Sequence, residues 1–402
     1  MDGQRIVVVG AGQAGAALVA RLRGLGFAAP LTLIGAEPVP PYQRPPLSKK
    51  YLTGEMARER LFLRPEAFYA DAGVELRLGQ PVTAIDRAAR TVQVGDAVLG
   101  WDRLVLATGA VPRRLPAAVG GDLPGVHVMR SLADADAMAP AFRPGARVAI
   151  VGGGYIGLEA AAVAASRGLR VTLIEAAPRI LARVACAETA DWFRALHRAH
   201  GVEILEGAAV ARLTGEARVT GVDLADGRHI PCDFAIVGIG VTPGTSLAEA
   251  AGLEIADGIV VDALGRTSDP DIWAAGDCAC FPYGDGRLRL ESVQNAIGQA
   301  EAVAANLMGA GEPYVPMPWF WSDQYDAKLQ IAGLGTAADR IVVRQAEGRS
   351  HWYFAGDRLL AVDAMNDARA YMVGKRLLEA GHSPDPARLA DPATVLRSLL
   401  PA

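Results

Sequence analysis

The sequence predicts an α/β fold in which two β-α-β units, the second inserted into the domain that the first begins, precede a smaller α+β domain. Three observations favour this fold. An apolar strand, a glycine turn and an Ala/Leu-rich helix occur twice, from Arg5 and from Arg147. Two similar strand-and-turn segments, residues 101–116 and 232–244, bracket the second copy. The C-terminal part, about 80 residues, has short alternating strands and then a helix.

Composition limits the class of protein. A chain of 402 residues with 51% hydrophobic residues can build two or three domains, at about 100–200 residues each. The net charge of −4 gives no global attraction to nucleic acid or to anionic lipid. The sequence enters a strand almost at once and has no apolar stretch of about 18 residues. We therefore expect a soluble cytoplasmic protein without a targeting peptide or a transmembrane helix.

Cysteine and histidine spacing predicts no metal site. The chain has four cysteines, Cys186, Cys232, Cys278 and Cys280. They are too few and too scattered for a secreted disulfide framework, and none has the spacing of a zinc or redox pair. His197 and His200 lie one helical turn apart but lack a third ligand, so we expect them to be structural or exposed.

The first β-α-β unit reads "RIVVVGAGQAGAALVARLRGLG" and contains a G-x-G-x-x-G turn. Gly10 permits a tight turn, and Gly12 lets the backbone approach a pyrophosphate at the N-terminus of the helix. Gly15 allows the helix to pack closely on the sheet. The next strand runs toward Glu37, a carboxylate suited to the hydroxyls of a ribose. This order of elements is typical of a dinucleotide-binding unit.

The second unit reads "RVAIVGGGYIGLEAAAVAASRGLRVTLIEAA" and repeats each feature. Gly152, Gly154 and Gly157 form the turn, and Glu175 ends the following strand. One such motif is weak support for a nucleotide site. Two complete units, each with a strand before and an acid after, predict two Rossmann-like dinucleotide-binding domains.

The bracketing segments predict the domain boundaries. We expect a first dinucleotide-binding domain at residues 1–112 and 241–315, and an inserted one at residues 113–240. The Pro- and Trp-rich segment "PYVPMPWFWSDQYD" marks the start of a C-terminal α+β domain at residues 316–402.

Motifs along nearly the whole chain resemble the FAD-dependent NADH:ferredoxin reductases of bacterial oxygenase systems, the putidaredoxin-reductase type. They include "YQRPPLSKKYL", "LVLATGA", "VGGGYIGLE", "VTLIEAAPRILARV", "IWAAGDCA", "LESVQNAIGQA" and "PWFWSDQYDAKLQIAG". The resemblance implies a glutathione-reductase-like architecture. In it the first domain binds FAD, the inserted domain binds NADH, and the C-terminal domain helps to dock an iron–sulfur partner.

The resemblance also implies site residues. Those for FAD are Gly10, Gly12, Ala14, Gly15, Glu37, Arg44, Lys49, Val82, Arg130, Asp277 and Val293. Those for NADH are Gly152, Gly154, Tyr155, Ile156, Gly157, Glu175, Arg183 and Gly240. Asp277 would bind the ribityl chain, and Val293 would present its N–H to the pyrimidine edge of the flavin. Two departures are Ala36, where many relatives have an acid, and Gly244, where "TPN" is common.

Three residues are the expected catalytic set. By the resemblance, Lys49 lies near flavin N5 and Trp321 near the edge of the flavin. Glu159, two residues after the last glycine of the NADH turn, can form an ion pair with Lys49. Hydride transfer needs no protein nucleophile, only a nicotinamide C4 held over flavin N5.

The expected function is electron transfer from NADH through FAD to a 2Fe-2S ferredoxin, in a transient complex, to supply an oxygenase. The segment "PPLSKK" lacks the cysteine that flavin-dependent oxidases, peroxidases and disulfide reductases use near the flavin. Arg369, Lys375 and Arg376 are candidates for docking an acidic ferredoxin. Reduction of rubredoxin or a small acceptor is an alternative, and a redox-gated nucleic-acid-binding protein is another, less favoured by the charge. The sequence leaves monomer and homodimer both open.

Overall fold

The computed structural model describes residues 3–401 and divides into two compact units. Unit 1 contains the described residues up to Arg44, then Ala57–Val111 and Val241–Pro316. Unit 2 contains Pro45–Met56, Pro112–Gly240 and the described residues from Met317 onward. The breaks near residues 112, 241 and 316 lie where the sequence predicts boundaries. Residues 45–56, however, group with the second unit, and the three-domain division stays a prediction.

Unit 1 is built around a five-stranded parallel sheet. The strands of unit 1, in this sheet and in its smaller sheets, are β1 (Ile6–Val9), β2 (Leu31–Ile34), β3 (Val74–Arg77), β4 (Val82–Asp86), β5 (Thr91–Val94), β6 (Ala97–Gly100), β7 (Arg103–Leu106), β8 (Ala110–Pro112), β17 (Val241–Pro243), β18 (Ile255–Ala256), β19 (Gly258–Val260), β20 (Ile272–Ala274), β21 (Ala279–Tyr283) and β22 (Gly286–Leu288). Its helices are α1 (Gln13–Gly24), α2 (Glu66–Asp71), α6 (Ser246–Ala250) and α7 (Val293–Leu307). The parallel sheet has the order β20-β7-β1-β2-β3.

The central strand of this sheet is buried on both faces, which is why it is entirely apolar. Ile6 and Val8 join a core that includes residues of α1 and α7, whereas Val7 and Val9 join the core on the other face. Strands β4-β5-β6 form a separate antiparallel sheet, and β18-β19-β21-β22 form a four-stranded mixed sheet in which β19 and β21 are parallel.

Unit 2 repeats the parallel sheet and adds two antiparallel sheets, a three-stranded one between residues 210 and 231 and a five-stranded C-terminal one. Its strands are β9 (Val126–His127), β10 (Arg147–Val151), β11 (Arg170–Glu175), β12 (Glu203–Glu206), β13 (Val210–Thr214), β14 (Gly221–Leu224), β15 (His229–Pro231), β16 (Phe234–Val237), β23 (Trp319–Gln324), β24 (Ala327–Gly333), β25 (Arg340–Gln345), β26 (Arg349–Ala355) and β27 (Arg358–Met365). Its helices are α3 (Leu132–Met138), α4 (Tyr155–Ser166), α5 (Ala187–Ala199), α8 (Ala368–Glu379) and α9 (Pro386–Ala390).

The parallel sheet of unit 2, β12-β11-β10-β16-β9, has the same strand arrangement around β10 as unit 1 has around β1. The C-terminal sheet, β23-β24-β27-β26-β25, is antiparallel throughout and packs its apolar face on α8. The predicted class, two Rossmann-like sheets and a C-terminal α+β part, is therefore confirmed. Among the described residues, no helix combines the length and apolarity needed to cross a bilayer.

Candidate functional site

Four glycines are required by the fold of the two turns. Gly10 and Gly152 have φ angles of +116° and +110°, and a Cβ on either would lie within 2.3 Å of a backbone oxygen of a neighbouring strand end. A Cβ on Gly15 or on Gly157 would lie 2.0 Å from the carbonyl oxygen at the start of the same turn. No side chain fits at any of these positions, as the motif predicts.

The middle glycine of each turn has a different explanation. Gly12 and Gly154 adopt extended backbone angles open to any residue, and a Cβ on either would meet no protein atom within 4 Å. Each is the N-cap of its helix, α1 or α4, and neither helix start has a side-chain cap. The protein therefore leaves space and backbone N–H groups in front of two helix N-termini, which is the arrangement that binds a pyrophosphate.

The acid of unit 1 is neutralised by an arginine. The carboxylate of Glu37 accepts a hydrogen bond from Tyr42 Oη at 2.6 Å and pairs with Arg44 Nη2 at 2.6 Å. Burial alone would lower the pKa of Arg44, but the nearby Tyr42 and Glu37 outweigh it and raise that pKa. The predicted FAD residues Glu37 and Arg44 thus lie together.

Other residues assigned to FAD meet in unit 1. Gly276, the neighbour of Asp277, lies so close to Ala14 that a Cβ there would be 3.0 Å from the Ala14 Cβ. The N–H of Gly276 donates to Gln299 Oε1 of α7, the helix that begins at Val293. The first turn of α1, the 276–277 segment and α7 are therefore adjacent.

Three of the predicted FAD residues belong to other elements. Val82 begins β4, in the separate antiparallel sheet of unit 1. Lys49 and Arg130 belong to unit 2, whereas the sequence predicts that Lys49 belongs to the first domain. Arg130 directly precedes the N-cap of α3, and its backbone N–H donates to Asp134 Oδ2 at 3.2 Å.

The acid of the second unit is held by backbone groups. Glu175 ends β11, and its carboxylate accepts from the N–H of Gly153 at 2.6 Å and of Ala177 at 2.7 Å. Arg183 is exposed, and a Cβ on Gly240 would lie 3.3 Å from its Nη2, so these two predicted NADH residues are neighbours.

The first helical turn of α4 carries two more predicted NADH residues. Ile156 is 42% exposed. Tyr155 packs its ring on Phe320 with centroids 4.7 Å apart, and its buried hydroxyl has no hydrogen-bond partner among residues 3–401. Burial raises the pKa of Tyr155 well above its usual value.

The predicted ion pair is present. Lys49 Nζ lies 2.8 Å from Glu159 Oε2, and the hydroxyl of Ser48 donates to the same oxygen at 3.2 Å. Lys49 follows the 3-10 helix Pro45–Ser48, and Glu159 lies on α4, where it is only 7% exposed. A buried carboxylate needs such partners, because an unpaired charge in the interior is costly.

The sequence reasoning missed the other side of this carboxylate. The hydroxyl of Ser322, on β23, donates to Glu159 Oε1 at 2.7 Å, and Gln324 Nε2 donates to Ser322 Oγ at 3.1 Å. The buried His197 then bonds to Gln324, with Nε2 and Oε1 2.8 Å apart. The available signal was the polar alternation of Ser322 and Gln324 on a strand face that is buried.

Trp321, the third predicted catalytic residue, lies on β23 next to Ser322 and is partly buried. Its ring centroid is 5.8 Å from that of Trp319, which in turn lies under the ammonium of Lys375. Lys375 also pairs with Glu379 at 3.6 Å. The candidate docking residue Lys375 is therefore held by its own neighbours, whereas Arg369 and Arg376 are exposed.

A group that the sequence did not predict, Cys186, His351 and Asp363, places three possible metal-ligand atoms within 4.8 Å of one another. Hydrogen bonds explain it without an ion. Arg349 Nε donates to His351 Nε2, so the proton of this imidazole is on Nδ1, which donates to Thr189 Oγ1 at 2.7 Å. Thr189 donates in turn to Asp363. The group joins α5 to the C-terminal sheet.

Comparisons with known proteins agree with this geometry. The family described as pyridine nucleotide-disulphide oxidoreductase matches residues 4–300, and the one described as reductase C-terminal matches residues 319–400. The chain is 44% identical to the probable ferredoxin reductase CtmF of Castellaniella defragrans over 404 residues, 98% of each protein. It is 40% identical to putidaredoxin reductase CamA of Pseudomonas putida over 408 residues, 99% of this chain and 97% of the relative.

A solved structure extends the comparison to three dimensions. The reductase in the crystal structure of the covalent putidaredoxin reductase–putidaredoxin complex has 39% identity and a TM-score of 0.95, over 98% of each chain. The residues described above fit the two dinucleotides, FAD and NAD(P)H, that this family uses. The chain therefore belongs to the pyridine nucleotide-disulphide oxidoreductase family, among its FAD-dependent ferredoxin reductases of the putidaredoxin-reductase type.

Proposed function

We propose that the protein passes electrons from NADH through FAD to a 2Fe-2S ferredoxin, which supplies a monooxygenase or dioxygenase. The observation that carries the proposal is the combination of two open glycine turns, at Gly12 and Gly154, with a segment at residues 45–50 that has an ion pair and no cysteine. Such a protein binds two dinucleotides. It has no thiol in the segment that, in this proposal, lies beside FAD.

The side chains have separate tasks in this proposal. FAD, when bound, accepts a hydride from NADH and releases electrons singly to an acceptor. Lys49 and Glu159 fix a positive and a negative charge at one point, where they orient the reacting rings. The N-terminus of α7, which begins at Val293, supplies backbone N–H groups and about half a positive charge for the flavin pyrimidine edge. Asp277 binds the ribityl hydroxyls.

The four cysteines are unsuited to a relay. Burial raises the pKa of the Cys186, Cys232 and Cys278 thiols, which keeps them protonated at neutral pH. Cys278 donates to the carbonyl oxygens of Leu106 and Ala275 in the core of unit 1. All four are free. Direct transfer from the flavin to the acceptor follows from this.

One face of α8 is suited to an acidic partner. Arg369, Met372 and Arg376 are spaced at three and four residues on this helix, and all three are exposed. Met372 is 49% exposed, so the face offers an apolar centre between two guanidinium groups. Ferredoxin reductases among the relatives, including the rhodocoxin and terpredoxin reductases, support a small iron–sulfur protein as the partner.

The first prediction tests the acceptor and the direct route together. A variant with all four cysteines changed to alanine should reduce a 2Fe-2S ferredoxin with NADH at a rate within about threefold of the unchanged protein. The measurement is steady-state ferredoxin reduction by protein of equal FAD content.

Rubredoxin and a quinone serve as the comparison acceptors. A fully flavinated variant that accepts hydride but fails to reduce ferredoxin would put a thiol back into the electron path. If the unchanged protein reduces rubredoxin or the quinone but not ferredoxin, the proposed acceptor is wrong.

A further inference from the structure

A row of hydrogen bonds runs from Tyr325 through His197, Gln324 and Ser322 and ends at the buried carboxylate of Glu159. The carboxylate accepts from Ser322 on one oxygen and from Lys49 and Ser48 on the other. Ser322 is fully buried and comes from β23 of the C-terminal sheet. The C-terminal part of unit 2 therefore contributes a direct contact to a residue of the NADH turn helix.

The direction of every bond in the row is fixed by this carboxylate. Because Glu159 only accepts, the Ser322 hydroxyl must donate to it, and Ser322 Oγ must accept from the amide NH2 of Gln324. Gln324 Oε1 then accepts from His197 Nε2–H, which leaves Nδ1 to accept from the hydroxyl of Tyr325 at 3.2 Å. All the donors in the row point toward Glu159.

Every group of the row before the Glu159 carboxylate is uncharged. His197 is fully buried on α5, and this burial lowers its pKa to about 4, with the neighbouring His200 adding to the effect against the opposing hydrogen bond of Gln324. A neutral imidazole with its proton on Nε2 is the form that the row needs. Because the Gln324 amide is a poor proton carrier, the row acts as a set of aligned dipoles and not as a proton channel.

The outer end of the row is held in a strained backbone. Tyr325 has a φ of +56°, which is rare for an aromatic residue, and it lies in the tight turn between β23 and β24. Its ring stacks on His200 with centroids 3.7 Å apart and planes 13° apart. Strain of this kind persists where the surrounding contacts fix the residue. Here those contacts direct the hydroxyl at His197.

We propose that Ser322, Gln324 and His197 are positioning residues that orient Glu159, and through it Lys49, for hydride transfer. The inference rests on the proposed role of the Lys49–Glu159 pair. The aligned donors restrict the rotation of the Glu159 carboxylate, so that Oε2 faces the ammonium group of Lys49. Loss of one donor leaves the pair in place but free to reorient.

Two readouts test the row. In FAD-loaded protein with 15N-labelled histidine, the His197 signal, assigned by its absence in His197→Gln, should show a neutral ring protonated on Nε2 at pH 7. In stopped-flow mixing with NADH, Ser322→Ala should lower the limiting rate of flavin reduction about tenfold, with NADH affinity within about twofold of the unchanged protein.

His197 offers a matched pair of variants. His197→Gln keeps an N–H at a similar reach and should retain most of the rate, whereas His197→Leu should lose about as much as Ser322→Ala. If Ser322→Ala does not fold, the comparison of these two His197 variants tests the proposal instead. Thr189→Ala is the control, because it breaks the other hydrogen-bonded group between α5 and the C-terminal sheet. It should lower the melting temperature and leave the rate and the His197 ring unchanged.

The outcomes distinguish a failure of the role proposed for the Lys49–Glu159 pair from a failure of the positioning role of Ser322, Gln324 and His197. If Glu159→Gln leaves flavin reduction unchanged, the role proposed for the ion pair fails and the inference fails with it. If Glu159→Gln slows the reaction but Ser322→Ala and His197→Leu do not, only the inference is overturned. A His197 ring protonated on Nδ1 alone at pH 7, or an equal loss of rate in Thr189→Ala, also overturns it.

Discussion

The two β-α-β units share one sequence motif, but they place the acid that follows it at different positions. Both have the same arrangement of parallel strands, and in each the first glycine of the turn donates to the last isoleucine of the second strand at 2.8 Å. That bond makes Gly35 the structural equivalent of Glu175. The acid of the first unit, Glu37, therefore comes two residues later than its counterpart.

A single pair of small residues accounts for this offset. In unit 1, Ala11 occupies the second position of the turn, and a Cβ on Gly35 would lie 2.7 Å from the Ala11 Cβ. In unit 2 that second position is Gly153, whose N–H instead binds the Glu175 carboxylate. A side chain in the turn thus excludes a side chain at the strand end, and a glycine in the turn admits one.

The offset changes how each carboxylate is compensated. Glu37 reaches the guanidinium of Arg44 and is neutralised by it. Glu175 is bound by two backbone N–H groups, neither of which carries a formal charge. We propose that the second unit in this way keeps a negative charge where a phosphate on the ribose would bind. On this proposal, two units with one motif select different dinucleotides.

The largest expected effects come from two glycines of one turn. We expect Gly10 to be required for folding and Gly12 to be required only for FAD binding. Gly10→Ala places a Cβ 2.1 Å from the Ala107 oxygen at a φ of +116°, and we expect a loss of more than about 4 kcal/mol or no folded protein. Gly12→Ala meets no protein atom, so the apoprotein should unfold as the unchanged apoprotein does. Its FAD content after purification should nevertheless fall sharply.

Chemical denaturation of the apoproteins and FAD absorbance per chain are the measurements. Gly154→Ala is the same test in unit 2, where flavin should be retained and NADH affinity lost. Full flavin occupancy in Gly12→Ala would show that the space before α1 is not used by the pyrophosphate.

A smaller effect is expected at Ala11 and Gly35, the pair that sets the offset between Glu37 and Glu175. Gly35→Ala should lower the free energy of unfolding by about 1–3 kcal/mol, because its Cβ overlaps that of Ala11. In the Ala11→Gly background the same change should cost less than about 1 kcal/mol. Urea unfolding of the four proteins gives the coupling energy. Additive costs would mean that the Ala11 contact does not exclude a side chain at residue 35.

The smallest effect concerns coenzyme choice. We expect kcat/KM to be higher for NADH than for NADPH, because the Glu175 carboxylate accepts from a ribose 2′-OH and repels a 2′-phosphate. Glu175→Gln should narrow that ratio by about tenfold, a change of about 1.4 kcal/mol. Glu37→Gln, compared at equal FAD content, should leave the ratio unchanged. A ratio near one in the unchanged protein would contradict the assignment of Glu175.

Much of the site was readable from local patterns. The glycines of both turns follow from motifs that span a few residues, because turn geometry and helix starts are short-range properties. The Lys49–Glu159 pair joins distant parts of the chain and was expected only with the help of the family resemblance. The offset between Glu37 and Glu175 was missed, since both acids follow a strand and only the strand register shows which positions are equivalent.

The sequence by itself determined the repeated β-α-β units and the residues that cannot carry a Cβ, because these depend on backbone geometry within one turn. Only the tertiary structure decided what surrounds the Glu159 carboxylate. Ser322 is 163 residues from Glu159, and His197 is 127 residues from Gln324. Hydrogen bonds over such separations leave no periodicity in the chain, so they exist only once the sheet and the helices have packed. The same packing brought residues 45–56 into unit 2, where Lys49 meets its acid.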